Sequence, residues 1–201
     1  MHACLSILFV LLLAHTSFAA TNEEAIAAFQ QGQSAMQRNA PREAVPLFES
    51  SLRICTELGI VPCRTVNLNQ LSNAYAMLGR HGEALAATQE VLRIRRQAGA
   101  PAEEIIRLLD TVGQLQYALG RYNEALAAFE EGLAMSRRLG IKGAVAMLLE
   151  GAGMTQFRLN RLDRALSSFQ ESLQLQREMG YPAEESVRNL NNIGAAYMSG
   201  K

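Results

Sequence analysis

Side chains able to do bond-making chemistry are sparse in this chain of 201 residues. His81 is the one histidine beyond the first twenty positions, and it falls in the turn-like string Gly79-Arg80-His81-Gly82 with no fixed serine or carboxylate nearby in its segment. No Ser-His-Asp or Cys-His set can be assembled around it. Groups of His, Cys, Asp and Glu at zinc-finger or zincin spacing are absent, so neither a metal nor a cofactor is expected. Gly151-Ala152-Gly153 follows no strand and reads as packing glycines inside a helix, not as a phosphate loop. Paired acids such as Glu184-Glu185 read as helix starts. Cys55 and Cys63 flank a short turn and are either an oxidised pair, if the protein is exported, or two buried thiols packing as small apolar groups. What remains is the chemistry of recognition, carried by amides, charges and aromatic rings.

The elements that position these groups are repeated. Ala44, Ala84, Ala125 and Ala165 recur at intervals of 40, 41 and 40 residues, each preceded by Gly32, Ser72, Gly113 or Gly153 and followed by Phe48, Thr88, Phe129 or Phe169. Gly59, Gly99, Gly140 and Gly180 run in step, and Gly194 opens a further copy. A period of this size means stacked supersecondary units that bury a core only against their neighbours. In the third copy, Pro101-Ala102-Glu103-Glu104 predicts a helix start with proline at the first helical position. An apolar stripe follows through Ile105, Leu108, Leu109, Val112 and Leu119, and Gly120 closes the helix, Asn160 standing in its place in the fourth copy. A second helix begins near Tyr122 and stops at Leu139-Gly140, so each copy is an antiparallel pair, helix A then helix B. Gly113 and Ala125 are expected to form the tight spot between them, with Phe129 filling the space alongside.

These positions resemble the tetratricopeptide repeat: Ser72 and Tyr75 precede Ala84, Gly194 precedes Tyr197, and Gly113 with Phe129 and Gly153 with Phe169 supply the rest. Copies are approximately 22–59, 60–99, 100–140 and 141–180, with a partial copy at 181–201. They exceed the usual 34 residues by roughly one helical turn per helix. Long copies of this kind are similar to those of kinesin light chains, of the receptor-independent G-protein modulators, and of the arrays that precede CHAT protease domains in bacteria. The resemblance implies an all-α, right-handed superhelical solenoid of four repeats plus the first helix of a fifth. It implies a non-enzymatic scaffold that holds a protein or peptide segment in a concave groove lined by helices A. The alternatives are the sensory portion of a larger protein such as a CHAT-type protease, or a structural module that associates with itself.

Counted from the small residue of each copy, the groove positions are Asn69 and Asn73 in the second copy, Asp110, Gln114 and Tyr117 in the third, and Glu150, Met154 and Phe157 in the fourth. Asn191 belongs to the partial copy, and Arg107 and Arg188 lie one turn earlier on their helices. Amides can pair with the backbone of an extended segment spanning several copies, while Tyr117 and Phe157 offer apolar anchors. Gln70 and Asn192 read instead as solvated residues or as hydrogen-bonding residues between copies.

Nineteen basic residues balance nineteen acidic ones, which gives no net field to favour nucleic acid. Arg93, Arg95, Arg96, Arg137 and Arg138 fall toward helix ends, where the helix dipole favours cations. Residues 1–20 carry an apolar run from Cys4 to Ala14 and small residues at Ala19 and Ala20, the pattern of a cleaved secretory signal. The run is too short for a stable membrane span, so a secreted or periplasmic location is expected, with an N-terminal membrane anchor as the alternative. Helix A of the last copy reaches Gly200-Lys201 without its helix B, which points to continuation or to a homo-oligomer through that edge.

Overall fold

The computed structural model describes residues 22–182 and 187–199, and all regular structure among them is helical. The expected signal segment and Gly200-Lys201 lie outside these residues. The elements are α1 (22–37), α2 (Pro41–Glu57), α3 (Val61–Met77), α4 (His81–Gln97), α5 (Ala102–Ala118), α6 (Tyr122–Leu139), α7 (Lys142–Arg158), α8 (Leu162–Glu178) and α9 (Val187–Ser199). Helices α2 to α8 have 17 or 18 residues each, a rod of about 25 Å and the extra turn expected of long copies. Odd-numbered helices are the helices A and even-numbered ones the helices B. Among the described residues no helix is long and apolar enough to cross a membrane.

The turns follow from residues that tolerate left-handed backbone. Gly120 has φ 73° and its counterpart Asn160 has φ 58°, the exchange that the sequence predicts. In both places the chain closes the same way, Arg121 donating its N–H to the Gln116 carbonyl and Arg161 to that of Gln156, each at 2.9 Å. Pro101 stands one position earlier than expected: it is the N-cap, and α5 begins at Ala102. Its extended backbone, φ −52° and ψ 142°, leads into the helix from outside.

The described residues form two compact units that divide between Ala87 and Thr88. In the first, α2 packs on α3, and Phe48 is fully buried with its ring 5.7 Å from that of Phe29. In the second, each helix from α5 to α8 packs on its successor, while α5 also meets α7 and α7 meets α9, so the helices A share one layer. Its core gathers Ile106, Ala125, Phe129, Leu133, Leu148 and Leu149. Beside fully buried Ala125, the ring of Phe129 fills the space against Gly113: a Cβ on Gly113 would lie 2.5 Å from Phe129 Cε1. Gly151 presses on the same ring from α7, and Gly153 meets Phe169, which makes the Gly-Ala-Gly string packing glycine.

Two joints between successive copies are polar. In the first unit, buried Asn67 donates from Nδ2 to Ser51 Oγ and to the Cys63 carbonyl, both at 3.0 Å, and Ser51 donates to the Ala25 carbonyl at 2.8 Å. In the second unit, buried Asn189 donates to Ser172 Oγ at 2.9 Å, and Ser172 donates to the Ala146 carbonyl at 2.8 Å. The corresponding positions between α6 and α7 are Gly132 and Leu148, whose methyl groups would stand 3.1 Å from a Cβ on that glycine. The arginines at the helix ends do more than face a dipole. Arg95 pairs with Glu104, Arg96 with Glu131 and Arg137 with Glu171, and Lys142 pairs with Glu178.

Candidate functional site

In the second unit, α5 and α7 lie side by side and leave a cavity of about 320 Å³ between them. Asp110, Gln114 and Tyr117 line it from α5, and Glu150 and Met154 from α7, so five of the groove residues expected from the repeat register meet in one place. They meet because positions three before, one after and four after the small residue fall on one face of a helix. Phe157 lies in a second cavity of about 200 Å³ with Arg158, Asn192 and Ala195, and Tyr117 and Met154 belong to both. The two cavities therefore share a wall of one ring and one thioether.

The groups in the first cavity are not equivalent. Asp110 is 7% exposed and accepts a hydrogen bond on Oδ2 from the Gln114 amide at 2.7 Å. Burial pushes its carboxyl up from the ordinary 3.8 to about 6, against the Gln114 hydrogen bond and with help from the charge of Glu150. Tyr117 stands edge-on to Tyr122 with ring centroids 5.5 Å apart. Arg158 donates from Nε to the Tyr122 hydroxyl at 3.0 Å and lies over that ring, which fixes the rim of the second cavity.

Other expected residues stand apart from these cavities. Arg107 is exposed on α5 and Asn191 on α9, outside both linings. The side chain of Arg188 lies outside the described residues. Asn69 and Asn73 are exposed on α3, in the first unit, one turn apart on the same face. Cys55 and Cys63 face each other across the α2–α3 turn with Cα atoms 5.8 Å apart, inside the range a disulfide bridges.

Three features escape the register count. Met147, 40% exposed, lines the first cavity two turns before Met154, a spacing that would have marked it. Gly151 lines it too, because its missing side chain leaves the Phe129 ring as part of the wall. In the first unit, an apolar cavity of about 380 Å³ between α1 and α3 is lined by Ile26, Phe29 and Val66 with Cys63 and Asn67. Among the described residues no group of three His, Cys, Asp or Glu is placed to hold a metal.

Residues 63–138 match the tetratricopeptide repeat family model. No curated protein matches the sequence. Among solved structures, the apo form of RapI superposes with a TM-score of 0.78 at 16% identity, over 88% of this chain and 64% of that one. A Podosopora anserina protein described as a kinesin light chain with nearly identical TPR-like repeats gives 0.71 at 16% identity, over 89% and 87%. A Rap protein complexed with Competence and Sporulation Factor gives 0.60 at 19% identity, over 78% and 44%. The chain thus spans less than two thirds of either Rap protein, and at these identities the likeness is one of fold. The family match covers residues 63–138, and helices paired in the same way recur through the described residues, so the fold is that of tetratricopeptide-type helix pairs in long, 40- to 41-residue copies.

Proposed function

We propose that this protein is a non-enzymatic, exported scaffold that binds an extended protein or peptide segment on the exposed face of its helices A. The observation that carries the reading is the pair of adjoining cavities on α5, α7 and α9, which share Tyr117 and Met154 and combine apolar walls with a few polar groups. Side chains of an extended segment point alternately to either side, so neighbouring cavities suit successive residues on one side. Exposed Asn69 and Asn73 supply the first unit with amides able to pair with a backbone. The Rap protein solved with Competence and Sporulation Factor lends the reading support by fold. Export rests on the signal-like residues 1–20.

Selection of a displayed peptide library against the full chain tests this. Selected peptides should lose affinity by tenfold or more with Tyr117→Ala or Phe157→Ala and by little with Glu130→Ala or Gln170→Ala, which alter exposed helix B positions. The reverse pattern would place binding on the other face and end the proposal. Self-association is a second reading, favoured by Tyr197 and Met198 on α9, 55% and 77% exposed. A sedimentation profile unchanged from micromolar to millimolar chain would remove it.

A further inference from the structure

The cavity between α5 and α7 has walls suited to one kind of guest. Tyr117 presents aromatic surface, the buried Phe129 closes the floor, and Met147 and Met154 add polarisable thioethers. The polar groups are acids and an amide: Asp110 and Gln114 on one side, Glu150 on the other. No lysine or arginine lines the cavity. Asp110 is more than nine-tenths buried, and the Gln114 amide is its hydrogen-bond partner, so its charge has no cation beside it among the described residues. A buried carboxylate without a counter-charge is costly, and the cost is relieved when a cation enters. Rings and thioethers around the same space favour a cation over an anion or a neutral group.

From this we infer that the α5–α7 cavity is a subsite for a basic side chain, lysine or arginine, of the bound segment, with Asp110 as its acidic partner and Tyr117 as its aromatic wall. The inference rests on the peptide-binding reading above and adds a selectivity to it. The second cavity, with Phe157, Phe169 and Ala195 in its lining, takes an apolar residue of the same segment. The preferred ligand accordingly carries a basic residue and an apolar residue close together in an extended stretch. Arg158 at the rim of that cavity is engaged with Tyr122, which leaves Asp110 to select charge.

Methyl-labelled methionine makes the cavity directly observable, because Met147 and Met154 flank it. Butylguanidinium and butylammonium at millimolar concentration should shift both methyl resonances, while the neutral isostere butylurea should leave them in place. Asp110→Asn should weaken the cation response on the order of tenfold, as loss of a charge-assisted contact in a desolvated site requires. That variant keeps the shape and the Gln114 contact surface and should melt no lower than the parent at neutral pH, so a lost response cannot be put down to unfolding. Glu150→Gln should give a smaller loss. Equal shifts from butylurea, or an undiminished cation response in Asp110→Asn, would overturn the subsite. Library peptides that depend on Tyr117 and Phe157 yet show no enrichment for lysine or arginine would also overturn it, while leaving the peptide-binding reading intact.

Discussion

Replacing Gly113 by alanine adds one methyl group at a crowded point in the second unit. A Cβ there would stand 2.5, 2.6 and 2.8 Å from Phe129 Cε1, Cζ and Cδ1. The ring has no room to retreat, since a Cβ on Gly151 would meet the same edge at 2.6 Å from the α7 side and the ring is 1% exposed. Two effects oppose. Alanine in mid-helix gains roughly 0.5–1 kcal/mol over glycine through chain entropy, whereas overpacking a filled core costs about 1–3 kcal/mol. With the ring confined from two helices the cost falls at the upper end, so the net expectation is a loss of about 1–2 kcal/mol. Gly194→Ala is the control, because a Cβ there meets nothing within 4 Å and only the helix gain remains. Urea unfolding followed by far-ultraviolet circular dichroism reads both changes as midpoint shifts of opposite sign. Phe129→Leu shrinks the obstacle, and in the double variant the losses should fall short of their sum by on the order of 1 kcal/mol. Gly113→Ala as stable as Gly194→Ala, or strict additivity with Phe129→Leu, would refute the account of the contact.

Asp110 makes stability fall with rising pH. Its folded carboxyl keeps a proton up to about pH 6 while the unfolded one releases it near 3.8, so between these values the native state binds more protons and loses stability as pH rises. The full effect is up to about 3 kcal/mol, and urea midpoints from pH 4 to 7 should show a slope that flattens in Asp110→Asn; parallel profiles would contradict it. Cys55 and Cys63 should be oxidised in protein recovered from an oxidising compartment, and reduction should cost roughly 2–3 kcal/mol for so short a loop; two free thiols in unreduced protein, by mass spectrometry, would show otherwise. The exposed pairs Arg96–Glu131 and Arg137–Glu171 should contribute little. Glu131→Gln and Glu171→Gln should each move stability by less than about 1 kcal/mol, and a larger change would show that the pairs act as a network.

The repeat period makes the fold legible before any coordinates, because residues that recur every 40 or 41 positions must do the same structural work. The register also collects Asp110, Gln114, Tyr117, Glu150 and Met154, since a helix face follows from counting turns. What counting does not reach is depth. Asp110 sits at a position expected to face a groove, yet the approach of α7 leaves it 7% exposed. Asn67 and Asn189 are equally opaque: their buried roles depend on Ser51 and Ser172, sixteen and seventeen residues away on the preceding helices. An amide in an apolar stripe looks like a surface residue until its partner is known. Met147 was within reach by heptad spacing from Met154, and Gly151 was not, because its contribution to the cavity is the side chain it lacks.

The Asn–Ser joints also bear on whether copies can be exchanged. A helix A that carries Asn67 or Asn189 requires a hydroxyl opposite it, and a helix A that carries Leu148 requires the hollow of Gly132. Placed against the wrong neighbour, the buried amide would lose its hydroxyl acceptor, or the leucine would be driven into a serine. Each of these three junctions thus rejects a stranger, and the pairing of the copies that meet there is written in their contact faces as well as in their covalent sequence. A tetratricopeptide array assembled by shuffling these copies would fold well only where polar met polar and hollow met methyl.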